Sequence, residues 1–292
     1  MPIQRNTDIV KQSAHRTDGE YDHYHKSTTR KTKRIKQMDL TMNIVLVSGT
    51  QLHIILKSSS LKNSHIQDYA SVIKDIIIPD GVTSIDSGTF SRFTNLQSIT
   101  IPHSVDTIGE GTFAHCSNLK TVILSNHVTC IEPYTFYNCS KMSCLILSSA
   151  IVRIGSAAFH GCSELVILNM SINLKYIESS AFSGCVKLPM MILPLGLLSI
   201  GSDAFFGCAS LVTLVIPNGI THIKFGTCHG CINLQLVVFP PSLTHIDQLA
   251  FCQCRSLQTI DIPERVIVAS HALLGSSIHL PSRPHLTINF LL

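Results

Sequence analysis

The chain has no tryptophan, and only 14% of its 292 residues are charged against 45% apolar. An average soluble domain carries roughly 25% charged residues. So little charge excludes a strongly acidic or basic surface over most of the chain and presses apolar side chains together throughout. Long apolar runs are missing too. No stretch approaches the ~18 residues that read as a bilayer crossing, and the most apolar one, 188–198, is shorter. Residues 1–30 carry Arg5, Asp8, Lys11, Arg16, Asp18 and Glu20 with no apolar core, which is not the make-up of a secretory signal. The expectation is a cytoplasmic protein without a membrane span.

What the chain does have is repetition. Phenylalanine stands at 90, 113, 136, 159, 182, 205 and 251, on a spacing of 23, with Cys228 in the one gap. Cysteine follows three residues later at 116, 139, 162, 185, 208, 231 and 254. Leucine or methionine comes three after that, from Leu96 and Leu119 through Met142 to Leu257. A fixed period of this length predicts a solenoid whose units bury apolar faces only against their neighbours. Such a fold offers a long surface rather than a pocket, which favours binding over catalysis.

The unit opening at Phe113 shows the pattern most plainly: Cys116, Leu119, Val122, Leu124, Val128, Ile131, then Phe136. Leu119, Val122 and Leu124 suit a short parallel strand with one face buried. Proline ends that strand at 79, 102, 194, 217, 240 and 263, because it cannot donate to the next rung. Gly109, Gly155 and Gly201 follow the inner isoleucine, where a corner needing positive φ is expected. Near the end Leu274 falls on the phenylalanine slot. Seven of the eleven cysteines share one slot, and equivalent strands stack about 5 Å apart. That exceeds the Cβ separation of a disulfide, about 3.8 Å, so the thiols are expected reduced and buried.

Four regions result: a basic tail at 1–40, an N-terminal cap at 41–66, the array at 67–274, and a terminal cap or tail at 275–292. Residues 1–40 hold 9 of the 22 Lys and Arg and 5 of the 18 acids, so the whole +4 excess lies there. The run Arg30, Lys31, Lys33, Arg34, Lys36 reads as a solvated leader, with nuclear import or nucleic-acid contact as the alternative. The array itself is charge-balanced, which argues against a nucleic-acid groove.

The unit resembles the BspA-type leucine-rich repeat. Leu96, Ile99, Ile101, Pro102, Val105, Ile108, Gly109, Phe113 and Cys116 reproduce nearly every slot of that pattern, and Ile200, Gly201, Ala204, Phe205, Cys208 and Leu211 do so again. The likeness runs from about residue 76 to 263; serine replaces the strand-ending proline at 125, 148 and 171. The resemblance implies a right-handed α/β solenoid of about eight units. A parallel sheet would form the concave face, and short helices or irregular turns the convex one. It also implies a non-enzymatic protein-binding module, with a surface or adhesion protein exported without a recognisable signal as the alternative.

In that strand the residue between the last two apolar slots points outward. The column reads Thr100, Ile123, Ile146, Asn169, Ile192, Val215, Val238, Asp261. Ile123, Ile146, Asn169, Ile192, Val215 and Val238 are the candidate partner-binding residues, although valine and isoleucine also suit strands for their own sake. No catalytic, cofactor or metal site is expected, and no small-molecule substrate. Cys228, His229, Cys231, Cys252 and Cys254 look metal-like, but three of them sit in buried slots, leaving too few ligands for zinc. The fifteen histidines read as surface residues.

Overall fold

The structure is a computed structural model that describes residues 42–47, 51–56, 60–61, 66 and 70–278. The expected basic tail, and most of the region 275–292, lie outside the described residues.

Each coil of the array but the last has a strand where the pattern alternates. These strands are Asp75–Ile77, Ser98–Thr100, Thr121–Ile123, Cys144–Ile146, Ile167–Asn169, Met190–Met191, Thr213–Val215 and Leu236–Val238. They pair in parallel with residues 23 apart opposite each other, Ile99 against Val122 and Leu214 against Val237. The middle residue turns inward and is buried, as Ile99, Val122, Leu145, Leu214 and Val237 are. Burying each such side chain stabilises by roughly 1.5–3 kcal/mol. At the start of this front sheet, Met42–Val47 and Gln51–Leu56 form an antiparallel hairpin, and the second of these pairs in parallel with Asp75–Ile77.

The front sheet is interrupted between Ile167–Asn169 and Met190–Met191. Elsewhere the residue after the leucine slot donates to the previous coil: Lys120 N–H to Gln97 O at 2.9 Å, Gln235 N–H to Val212 O at 2.8 Å. Residue 189 is proline, so the corresponding bond to Val166 O cannot form.

A second sheet, which the sequence pattern did not predict, lies at the inner isoleucine. Its strands are two residues long: Ser60–Leu61, Ser84–Ile85, Thr107–Ile108, Cys130–Ile131, Arg153–Ile154, Tyr176–Ile177, Ser199–Ile200, His222–Ile223, His245–Ile246 and Ile267–Val268. From Ser84–Ile85 to His245–Ile246 the isoleucine points in and the preceding residue out; in Ile267–Val268 it is Val268 that points in and Ile267 that is exposed. Two residues are too few for an alternation to register.

The third side is a turn, and it corrects the expectation of convex helices: no helix occurs among the described residues. Two positions per coil are left-handed. One runs Gly88, Gly111, Tyr134, Ala157, Ser180, Asp203, Gly226, Leu249, and the other Arg92, His115, Asn138, Gly161, Gly184, Gly207, Gly230, Gln253. A left-handed residue every few positions breaks a helix. The amides freed in this way reach across to the next coil: Gly111 to Pro133 O, Phe113 to Thr135 O, His115 to Tyr137 O. The segment is therefore a third hydrogen-bonded column of irregular turns.

Inside, the phenylalanines stack. Ring centroids are 5.6 Å apart for Phe113 and Phe136, 5.2 Å for Phe159 and Phe182, with planes within 5° and 4°. Each slot cysteine donates its thiol to the carbonyl of the preceding coil's phenylalanine slot, Cys116 to Phe90 O at 3.1 Å and Cys185 to Phe159 O at 3.2 Å. The eleven cysteines are all free.

Two further expectations are corrected. Gly109 and Gly155 are not among the positive-φ residues; a Cβ at Gly155 would lie 2.6 Å from Pro133 N and 2.8 Å from Glu132 C. Glycine is required there by close approach of the previous coil's backbone. The final coil is also one residue shorter, since His245 pairs with Ile267, 22 residues on. That moves Leu273 onto the core, while Leu274 is exposed. No strand forms at 257–262, so Thr259 and Asp261 lie outside the front sheet.

Candidate functional site: the front face of the array

The outward column of the front sheet is apolar and open to solvent. Ile123 is 57% exposed, Ile146 65%, Ile192 75%, Val215 53% and Val238 43%. Asn169 is exposed in the same column. Parallel pairing sets these side chains in line: Thr100 opposite Ile123, Ile146 opposite Asn169, Val215 opposite Val238. Ile192 follows immediately after Met190–Met191, whose register against Thr213 and Leu214 keeps the column in line. At about 4.8 Å per strand, Ile123 to Val238 spans roughly 24 Å.

The patch widens around the column. Met190 and Leu236 are exposed on the flanking slot, and Ile172 and Leu195 lie just past the strand ends. From residue 143 to 238 the three outward slots of this face contain no charged residue. Charges begin toward the ends, at Lys120 and Asp261. An apolar stripe of this length is unusual on a surface that has no partner. Ile172 and Leu195 were missed from sequence because they fall in the turn after the strand, where no pattern fixes which way a side chain faces.

The other candidates disperse. Cys228, Cys231, Cys252 and Cys254 are buried, and His229 leans on Phe206 with centroids 4.9 Å apart. Among the described residues no three His, Cys, Asp or Glu side chains gather as a metal cluster. Burial pushes the thiols of Cys116 and Cys162 up to about 12, and it raises Cys139, Cys185 and Cys208 as well. Thiols held in the protonated form are poor nucleophiles.

Away from the front face the polar contacts are local. On the back sheet Arg153 bridges Glu132 at 2.8 Å and Glu178 at 3.1 Å, and these carboxylates raise the guanidinium pKa. On the turn side Tyr137 stacks on His160 at 4.8 Å. A shallow cleft of about 530 Å³ there is lined by Arg92, Glu110, His115, Tyr134 and Tyr137 among others.

Three hydrogen-bonded columns around a stacked apolar core define a parallel β-solenoid of about eight turns of the leucine-rich-repeat class. The chain matches the BspA type leucine rich repeat region in six copies, over residues 59–189 and 152–279, and it belongs to that family. Arrays of this family are generally non-enzymatic scaffolds. No curated protein matches the chain. Among solved structures it is similar to the T. pallidum leucine rich repeat protein, with 21% identity over 74% of this chain and 87% of that one, at a TM-score of 0.46. It is also similar to a leucine rich cell surface protein from Faecalibacterium prausnitzii A2-165 (19% identity, 85% and 95% coverage, TM-score 0.42). A leucine-rich repeat protein from Bacteroides ovatus gives 19% identity, 85% and 89% coverage and a TM-score of 0.38. No helix among the described residues is long and apolar enough to cross a membrane.

Proposed function

We propose that this array is a protein-binding module whose partner docks on the front sheet through Ile123, Ile146, Asn169, Ile192, Val215 and Val238. One observation carries the reading: five aliphatic side chains of that column are solvent-exposed, four of them in the stretch 143–238 whose outward slots lack charge. Strand propensity accounts for single exposed valines and isoleucines. It does not account for the adjoining Ile172 and Leu195, which lie outside strands and are more exposed than any of the five aliphatic residues of the column. In the same reading the hairpin Met42–Val47 and Gln51–Leu56 serves as the N-terminal cap, since arrays need an atypical unit to cover an open end.

The test is affinity capture with mass spectrometry, comparing the native chain with Ile146→Glu, Val215→Glu and the double variant. Both sites are exposed, so melting temperatures are expected to stay close to that of the native chain while partner recovery falls in each single variant and further in the double. Variants that fold and still recover the same partners as the native chain overturn the reading. The buried, proton-holding thiols favour a reducing compartment such as the cytoplasm. Protease shaving of intact cells carrying a tagged copy decides the setting: a cytoplasmic protein is spared and a surface protein is removed. Deleting residues 1–40 without a change of location disposes of nuclear import through the basic run.

A further inference from the structure

His222 and His245 occupy the same outward slot of neighbouring back-sheet strands and are paired in register. Their imidazoles stack with centroids 4.5 Å apart and planes within 3°. Each Nδ1 lies 2.9 Å from the hydroxyl of the preceding residue, His222 from Thr221 and His245 from Thr244. The Thr244 hydroxyl donates its proton to the Thr221 carbonyl at 2.9 Å, and a hydroxyl has one proton to give. Thr244 Oγ1 therefore accepts from His245 Nδ1–H, and the lone pair of that ring is left on Nε2. Because both rings are anchored through Nδ1 in the same way, their Nε2 atoms point in the same direction.

We propose that His222 and His245 form a binding site for a transition-metal dication of the zinc and nickel kind, ligated through the two Nε2 atoms. Imidazole suits these ions, and a ligating histidine is ordinarily fixed by a hydrogen bond to its other ring nitrogen, which the threonines supply here. Two nitrogens bound to one tetrahedral ion stand about 3.3 Å apart with their bonds at about 109°, so the two rings, whose lone pairs run parallel in the stack, swing out of it to converge on the ion. A third ligand can come from Asp247, which follows the strand His245–Ile246 and stands 25 residues after His222, the same offset that brings Glu178 to Arg153 at 3.1 Å. No three such side chains are already converged among the described residues, so the register brings the two histidines side by side, binding draws them onto the ion, and Asp247 or water completes the coordination. This face is not the one proposed for the protein partner.

Equilibrium dialysis of the untagged, reduced full chain against Zn²⁺ or Ni²⁺ alone tests the assignment. One ion per chain is expected. His222→Ala and His245→Ala each weaken binding by at least about tenfold, and Thr244→Val, which keeps both rings but frees the Nδ1 proton, weakens it by about tenfold. His103→Ala, at an exposed histidine outside the pair, leaves the affinity unchanged. Circular dichroism confirms that each variant retains the fold of the native chain. No metal binding by the native chain overturns the site, and so does native affinity in any of the first three variants. A loss in His103→Ala as large as in the pair does the same.

Discussion

Gly155 and Gly207 separate two reasons for glycine within one repeat. At Gly155 a Cβ would meet backbone atoms of Pro133 and Glu132, which cannot yield without moving a whole coil. At Gly207 φ is +65° and nothing lies within 4 Å of a Cβ. Gly207→Ala is expected to cost about 1–2 kcal/mol, the left-handed penalty of a side chain. Gly155→Ala is expected to cost more, on the order of 3 kcal/mol or above, and denaturant titration of both variants compares them; a smaller loss at 155 refutes the close-approach account. The thiols make a second residue-scale test. Their ordinary value is 9.0, and burial carries Cys116 and Cys162 up to about 12. A group with a raised folded pKa contributes stability that is complete below its unfolded value and is lost as pH rises toward the folded one. Melting temperature should therefore fall between about pH 9 and 12, and Cys162→Ala should flatten that fall; an unchanged slope removes the thiol from the explanation. The buried slots were legible in the sequence because stacking forces one residue type at each. The left-handed slots were not, because Tyr134, Ala157, Ser180, Asp203 and Leu249 share one conformation with no shared chemistry.

Within the elements, the phenylalanine column has one gap. Cys228 replaces the ring, and one coil on, Phe251 meets Phe239 edge-on, with centroids 5.8 Å apart at 70°. Phe239 stands where Ile101, Ile216 and Ile262 stand in other coils, so bulk lost at 228 is made up at 239. Cys228→Phe alone should overpack the column and cost about 1–3 kcal/mol, whereas adding Phe239→Ile should recover part of that loss. A double-mutant cycle reads the exchange: a coupling of at least about 0.5 kcal/mol is expected, and additive costs refute it. The front strands were legible because three alternating slots per coil suffice to mark one face. The back strands carry a single inward residue each, and the turn bonds to the next coil rather than to itself, so neither declares its structure in a local window. The candidate site divides the same way. The column from Ile123 to Val238 follows from the strand pattern, while Leu195, beyond the strand, and the His222–His245 stack required the register between coils.

Across the whole array, coils are joined by the front sheet, the back sheet, the turn amides and the ring stack, and their breaks fall at different places. Where Pro189 interrupts the front sheet, Tyr176 still pairs with Ser199 and Phe159 still stacks on Phe182. Where the back sheet breaks after Thr107–Ile108, Thr100 pairs with Ile123 and Phe113 stacks on Phe136. One junction is weaker than these. Between Ser199–Ile200 and His222–Ile223 the back sheet is interrupted, and the next slot is Cys228 rather than phenylalanine. What crosses it is the front pairing of Met190–Met191 with Thr213 and Leu214, turn amides such as Phe205 to Thr227 O at 2.8 Å, and the side-chain contacts of Cys231 with Phe205 O, Lys224 with Ser199 and His229 with Phe206, without a back-sheet pair or a phenylalanine stack. In a linear array, stability is nearly a sum of nearest-neighbour interfaces, so opening begins where an interface is poorest. Residues 213–278 should therefore open as a group before residues 98–200 do. Native-state hydrogen exchange across increasing denaturant measures this directly. Amides of the C-terminal group should merge into a common opening at lower denaturant than those of the first group. If both groups follow one isotherm, the coincidence of the back-sheet break with Cys228 does not weaken the array, and the front strands with the turn amides suffice to hold adjacent coils as one cooperative unit.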